Sequence, residues 1–291
     1  MAVLDLVVVV MAGTLYVVAT PLGNLEDLSR RAERALAEVD VVAAEDTRRG
    51  RELLNWLGIK KPLVSYYEPR EEEAIPGIIK RLLAGENVAL ITDGGTPAVS
   101  DPGYRLARAA LEAGVRVTPV PGPSAFAAAL SAAGLPTDRV TFAGFLPPKQ
   151  KARREALAEL ADRRDTLVFY ESPRRTVEFL RDAAGVLGDR EAAVFRELTK
   201  LHEELLRGSL LEIASELDSR PEVKGEVTVL IQGAGEKAEV SEEEARKMLA
   251  AALAAGRPLK EAAAEIARLS GLPRKEIYAW GLEIKSRASS D

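Results

Sequence analysis

The sequence predicts an α/β protein of two α/β domains followed by a small helical domain. Three observations predict it. Short β-branched and apolar runs, such as LYVVA at 15–19 and VALI at 88–91, read as strands buried on both faces. Each run stops at a polar turn rich in Gly or Pro and is followed by an amphipathic helix, the alternation of a mostly parallel sheet. Beyond Val240 the pattern becomes wholly helical and charge-balanced. The division this implies is an N-terminal extension over 1–10, α/β domains over 11–122 and 123–236, and a helical C-terminal domain over 237–291.

Taken in order, MAVLDLVVVV (1–10) has no basic flank, carries Asp5 and is too short to span a bilayer. It is read as an upstream extension, with a first strand or a loosely attached tail as alternatives. The strand 15–19 ends at TPLGN (20–24), and Asp27 or Ser29 caps a helix through Glu38. A strand over 41–44 runs into EDTRR (45–49), and a helix continues to Leu57, closed by Gly58. A strand over 63–66, a helix over 72–84 and a strand over 88–92 lead into the loop 93–103. A helix over 104–113 and a strand over 115–119 then reach PGPSAF (121–126).

The second domain reads as the strand VTFAGFL, a charged helix over 149–161, the strand TLVFYES and a helix over 176–184. The strand AAVFREL, a helix over 210–217 and the last strand GEVTVLIQG follow, with GAGEKAE as a linker. Alternation along Thr141-Phe142-Ala143-Gly144-Phe145 predicts a mixed sheet here. In the tail, two helices flank a turn at Ser270-Gly271-Leu272-Pro273. That spacing fits a helix-turn-helix or an ordinary helical packing module equally well.

Composition narrows the chemistry. A formal net charge of −5 excludes a globally basic nucleic-acid binder, so a polyanionic partner has to be met by local basic patches. With no cysteine, disulfides, thiolate metal sites and cysteine nucleophiles are excluded. The single histidine, His202, disfavours a His-based metal site or a Ser-His-Asp triad. A cytoplasmic enzyme that uses acid–base groups, backbone and a bound cofactor, with no metal and no membrane partner, fits best.

The loop DGGTPAVSDPG (93–103) is the most informative stretch. Its glycines give up side chains so that backbone amides approach a small ligand, and Pro97 and Pro102 fix its shape. In a parallel sheet it gathers along one edge with TPLGN, EDTRR and PGPSAF, where such sheets bind ligands. VVATPLGN lacks the G-x-G-x-x-G of a dinucleotide site, and no P-loop motif exists. Asp93 reads equally as a turn cap or as the partner of a ligand amine.

The phrases GTLYVVATPLGNLEDLS, AEDTR, ITDGGTPAVSDPG, PVPGPSAF, FAGFLP, FYESPRR and REL-TK-HEE come in order over about residues 13–233. Together they resemble the ribosomal small-subunit methyltransferase I family, a branch of the tetrapyrrole methylase superfamily. The resemblance implies S-adenosylmethionine held in a cleft between two tetrapyrrole-methylase-type α/β domains. It also implies 2′-O-methylation of a cytidine of 16S rRNA near the decoding centre (cytidine 1402 by family resemblance), on the 30S subunit, by a homodimer. Carried onto matching positions, the cofactor's surroundings include Pro21, Leu22, Gly94, Gly95, Thr96, Pro97, Val99, Ser124, Ala125 and Tyr170, beside Asp93. Several relatives carry Gly-x-Gly-x-Gly after the first strand where this chain has Thr-Pro-Leu-Gly, which sets it apart from the small-molecule methylases. The rival readings are a tetrapyrrole- or diphthine-type methyltransferase on the same fold, and a non-catalytic RNA-binding assembly factor.

Methyl transfer asks the protein for positioning and for a base or cation at the acceptor hydroxyl. Candidates at the turns are Asp46, Asp101, Glu171, Glu197, Lys200 and His202, with Asp46 and Glu171 ranked first and Lys200 or Arg174 as electrostatic stabilisers. Each has an ordinary alternative, such as ion pairs of Asp46 with Arg48 and of Glu171 with Arg174. Arg48, Arg49, Lys149, Lys151, Arg153 and Arg174 are the candidate phosphate contacts, against the alternative of solvated helix faces. Phe145, Tyr170 and Tyr104 can stack a splayed base, although core packing is the more ordinary role for Phe145.

Overall fold

The computed structural model describes residues 11–235 and 241–288; the expected extension 1–10 and part of the expected linker lie outside them. The chain divides into two compact units, one ending at Gly233 and one beginning at Ala234, and both sheets belong to the first.

The first sheet grows from the buried runs. Its strands are β1 (Thr14–Val18), β2 (Val41–Ala44), β3 (Leu63–Ser65), β4 (Val88–Ile91) and β5 (Arg116–Val120), all parallel in the order β3-β2-β4-β1-β5. Helices α1 (Arg30–Glu38) and α2 (Thr47–Trp56) pack Ala32, Leu36 and Leu54 on one face, against Val18, Val42 and Ile91. Helices α3 (Glu71–Leu83) and α4 (Tyr104–Glu112) pack Ile78, Leu82 and Leu106 on the other, against Leu15, Val41 and Leu90. Strand β4 is therefore flanked by β1 and β2, whose following helices lie on the face opposite to its own. Connections change face there, which opens a crevice at the carboxyl edge of the sheet. Of the two predicted caps Ser29 is the one used, accepting a hydrogen bond from the Ala32 amide at 3.1 Å, while Asp27 lies in a preceding 3-10 turn.

The second sheet is mixed, as its alternation predicts. Helix α5 (Ala125–Ala132) leads into β6 (Val140–Phe145), α6 (Gln150–Glu159), β7 (Thr166–Glu171) and α7 (Thr176–Leu187). Strands β8 (Glu191–Arg196) and β9 (Glu204–Ser209), helix α8 (Leu210–Asp218) and β10 (Val227–Ile231) complete the order β6-β7-β10-β8-β9. Only β6 and β7 pair in parallel. Helices α6, α7 and α8 cover one face through Leu157, Phe179 and Ile213, and α5 covers part of the other through Ala129 and Ala133. Strand β9 was not expected: at the sheet edge only Leu206 of its six residues is buried, so no apolar run marks it.

Two expectations on this sheet are corrected. Arg153, a candidate phosphate contact, is 1 % exposed and paired with Asp182 at 2.7 Å between α6 and α7, which removes it from solvent and from RNA. Glu171 shares the α6–α8 face of β7 with Phe169, opposite Tyr170. Its carboxylate is buried, bound to Arg175 at 2.5 Å and to the Ser172 amide at 2.6 Å, so it braces the following turn and is not a base facing ligand. Phe145, given a core role, is 56 % exposed.

In the C-terminal unit α9 (Glu242–Ala254), α10 (Leu259–Ser270) and α11 (Arg274–Ala288) surround a core of Leu249, Ile266, Ile277 and Trp280. Ser241 and Glu244 form a capping box, and Gly271 takes the left-handed conformation (φ 72°) in the expected turn. No helix among the described residues is long and apolar enough to cross a membrane.

The buried ion pair yields a stability prediction. Asp182→Ala leaves the Arg153 guanidinium buried without its main partner and lowers the unfolding free energy by about 3 kcal/mol. Urea titration measures it, and replacing both residues with apolar ones of similar size recovers most of the loss.

Candidate active site

The crevice is built by backbone before any side chain reaches it. Thr20 and Gly95 exchange amide–carbonyl hydrogen bonds at 2.9 Å in both directions, tying the turn after β1 to the loop after β4. The Thr20 hydroxyl adds a bond to the Thr92 carbonyl at 3.1 Å. Gly95 sits at φ 95°, a region that favours glycine, and a β-carbon on Gly94 would lie 3.1 Å from the Pro21 carbonyl oxygen. The β4 loop then crosses toward the second sheet. Thr96 Oγ1 donates to the Pro123 carbonyl at 3.0 Å, and Ser100 Oγ rests where a β-carbon on Gly144 would be 2.8 Å away. Gly144 lies at a bulge in β6 that makes room for this approach.

Several expected cofactor residues meet here: Gly94 and Gly95 of the β4 loop lie against Pro21 and Leu22 of the first turn. Thr96, followed in the same loop by Pro97 and Val99, reaches Pro123, which directly precedes Ser124 and Ala125 at the start of α5. Tyr170 reaches that helix from β7, its hydroxyl accepting from the Phe126 amide at 3.1 Å, and burial raises its pKa.

The charge at this edge is acidic and crowded. The Asp93 amide donates to Glu45 Oε2 at 3.4 Å, the Asp46 amide donates to Asp93 Oδ1 at 3.1 Å, and Arg49 pairs with Asp93 Oδ2 at 3.4 Å. Burial raises the Glu45 pKa, against the opposing hydrogen bond from the Asp93 amide. Asp101 is the most perturbed: burial, then repulsion from Glu45, Asp93 and Glu226, pushes its carboxyl up to about 7. That poises it for proton transfer near neutral pH. Such an arrangement also suits a cationic ligand, whose charge relieves the repulsion.

Asp46, ranked as a base, is otherwise committed. It caps α2 by accepting from the Arg48 amide at 2.8 Å and binds the Arg48 guanidinium at 2.7 Å, and that hydrogen bonding holds its pKa at about 2. At neutral pH it is too weak a base for the task. Lys200 does reach the cleft. Its stem lies over Gly23 where a side chain would collide with it, and its ammonium binds Glu197 at 2.9 Å and Glu226 at 3.2 Å. Burial would depress its pKa, but the two carboxylates outweigh that and raise it, so Lys200 stays a cation. His202 is exposed. Arg48, Lys149, Lys151 and Arg174 are exposed, whereas Arg49 is tied to Asp93.

Backbone strain marks the same places. Among the described residues, the non-glycine positions at positive φ are Ala98 and Ser100 in the β4 loop, and Glu197 and Thr199 in the loop between β8 and β9 that carries Lys200.

Known proteins can be set beside this geometry. The model of the Tetrapyrrole (Corrin/Porphyrin) Methylases matches residues 14–214, and that of the RsmI C-terminal HTH domain matches residues 239–285. A ribosomal RNA small subunit methyltransferase I of Xylella fastidiosa (strain Temecula1) is 47 % identical over 268 residues, 91 % of this chain and 98 % of its own length. The chain belongs to that methyltransferase family. Another relative of the same name, from Halalkalibacterium halodurans, is 44 % identical over 91 % of this chain and 93 % of its own. A solved uroporphyrin-III C-methyl transferase from Thermus thermophilus, in complex with S-adenyl homocysteine, shares the fold. It has a TM-score of 0.52 at 24 % identity, and the match covers 75 % of this chain and 97 % of that one.

Asp101 was named among six candidates but not ranked first. Glu45 and Glu226, which tune it, were not separated from ordinary surface charge, because only the folded chain brings residues 45, 93, 101 and 226 together. The raised pKa has a measurable consequence. The folded state prefers protonated Asp101, so this contribution to stability is full below the unfolded carboxyl pKa and is lost as pH rises through about 7. Asp101→Asn therefore raises the melting temperature at pH 8, and the gain shrinks as pH falls toward 4. A calorimetric pH series checks this.

Proposed function

We propose that the chain methylates the ribose 2′-hydroxyl of a cytidine in 16S rRNA, as presented by the 30S subunit, using S-adenosylmethionine. One observation carries the mechanistic reading. The β4 loop carries Asp101 among Glu45, Asp93 and Glu226, which with burial push its carboxyl up to about 7, and Glu226 also binds the Lys200 ammonium at 3.2 Å. The choice of rRNA rests on the relatives that share 47 % and 44 % identity over 91 % of the chain.

When bound, the cofactor supplies a methyl group on a sulfonium, an electrophile that reacts by in-line displacement. Main-chain groups around Pro21, Leu22, Gly94, Gly95 and Thr96 would hold it, with Pro97, Val99, Ser124, Ala125 and Tyr170 completing the wall. Asp93, Glu45 and Asp101 offer the negative field that a sulfonium favours. A cation beside Asp101 also favours its ionised form, so the base is generated where it is needed. Asp101 takes the hydroxyl proton and Lys200 stabilises the charge developing on that oxygen as the new oxygen–carbon bond forms, while the sulfur–carbon bond pair would stay with the sulfur of the bound donor, which leaves as the neutral thioether S-adenosylhomocysteine.

RNA is gripped by local cations, since the chain as a whole is acidic. Lys149, Lys151 and Arg174 on the second α/β half, together with Arg48, are the phosphate contacts in this reading. The enzyme works in the cytoplasm as a homodimer.

The test is transfer of labelled methyl from S-adenosylmethionine to 30S particles, with nuclease mapping of the modified nucleotide. Label on a cytidine ribose is expected; label only on porphyrinoid or elongation-factor acceptors overturns the reading. Wild-type kcat/KM for S-adenosylmethionine should climb with pH through about 7 and then level off as Asp101 of the free enzyme ionises, and the limb in kcat should lie at lower pH because the bound sulfonium favours the ionised form. Asp101→Asn should lower kcat by about 10²–10⁴-fold and abolish that limb, whereas an unchanged profile would assign the base elsewhere. Lys200→Met should lower kcat with little change in cofactor affinity, measured by calorimetry.

A further inference from the structure

A cavity of about 290 Å³ lies beside α2, and of the residues expected around the cofactor Pro21 and Asp93 line it. Its size is at the lower end of small-molecule sites, which run from about 300 to 1,000 Å³. That suits one small ring. One wall is a single face of α2: Arg49, Glu52, Leu53 and Trp56 recur at the i, i+3, i+4 and i+7 spacing that aligns side chains on a helix. The opposite wall is the turn after β1, which contributes Leu25, and the floor is the end of β4 at Asp93.

Two large apolar side chains on this cavity are left open to solvent. Trp56 is 54 % exposed and Leu25 39 % exposed, although both are large apolar side chains that normally gain by burial. An indole left open on a cavity is a stacking platform for a flat ring. The polar groups in the same wall are of two kinds: the Glu52 carboxylate only accepts hydrogen bonds, and the Arg49 guanidinium, steadied by Asp93, only donates.

We propose that this cavity seats the base of the acceptor nucleotide and selects cytosine. This rests on the rRNA-methylation reading above. Cytosine presents an amine donor beside two acceptors, N3 and O2; the amine suits Glu52 and the acceptors suit Arg49. Uracil would place its O4 acceptor against the Glu52 carboxylate. A base splayed from the RNA and stacked on Trp56 leaves its ribose toward Pro21 and Asp93, the residues shared with the expected cofactor surroundings.

The chain has two tryptophans, so Trp280→Phe leaves Trp56 as the only indole reporter. Cytidine 5′-monophosphate is expected to quench its fluorescence at several-fold lower concentration than uridine 5′-monophosphate. The same titration of the wild type and of Trp56→Phe assigns the signal without relying on Trp280→Phe. Trp56→Ala should lower kcat/KM on 30S particles by about tenfold or more while leaving S-adenosylhomocysteine affinity unchanged, and Trp56→Phe should recover most of it. Glu52→Gln should narrow the preference for cytidine over uridine. Nucleotide quenching in a protein that methylates no rRNA would sink the rRNA reading and keep a pyrimidine site. Methylation of 30S that is indifferent to Trp56→Ala, without nucleotide quenching, would overturn the base pocket alone. Quenching by S-adenosylhomocysteine and by neither nucleotide would assign the cavity to the donor and equally overturn it.

Discussion

The paired hydrogen bonds between Thr20 and Gly95, with the Thr20 hydroxyl on the Thr92 carbonyl, hold the turn after β1 against the loop after β4. Neither segment has enough side chain to fix itself. Once joined, they set the position of Pro21, Leu22 and Asp93 on one side and of Thr96, Ser100 and Asp101 on the other. Because β4 is the strand at which connections change face, this junction lies at the crevice and not on a flank. The β4 loop is then free to cross to Pro123 and to the Gly144 bulge, so a local backbone contact decides where the two sheets meet around ligand.

Holding this geometry works against stability. Ala98, Ser100, Glu197 and Thr199 at positive φ each cost on the order of 1 kcal/mol or more. Carboxyl groups of Glu45 and Asp101 are gathered beside Asp93 where burial opposes the ionisation of Glu45 and Asp101. The stabilising elements lie elsewhere, in the apolar faces of both sheets and in the Arg153–Asp182 pair between α6 and α7. Strain and like charge concentrated at one edge, above cores without them, are the pattern of a site kept for chemistry.

Much of the fold was legible because β1, β2, β4, β7 and β10 are near-continuous apolar runs, and burial on both faces demands such runs. Ser29, Gly58 and Gly271 marked helix ends through conformational needs that are local and therefore visible. Strand β9 escaped notice because an edge strand with one buried residue has no periodic signature. At the site, glycine and proline showed where backbone would be exposed, but not which way a side chain would face. Glu171 and Arg153 were placed toward ligand and RNA when the pleat of β7 and the α6–α7 contact turn them inward. Asp101 stood out only once residues far apart in sequence surrounded it. Trp56 carried a usable signal, its spacing from Arg49 and Glu52 along one helix face, which is informative only when the neighbouring turn leaves that face uncovered.

The contact between Lys200 and Gly23 limits what position 23 can carry. Any side chain at position 23 would occupy the path of the Lys200 stem and lift its ammonium from Glu197 and Glu226. A β-carbon at 23 and a long cation at 200 are thus mutually exclusive in this arrangement. The constraint runs one way across the 177 residues that separate them in the chain: a side chain enters position 23 only once the Lys200 stem is gone or moved, whereas a shorter residue at 200 leaves Gly23 undisturbed.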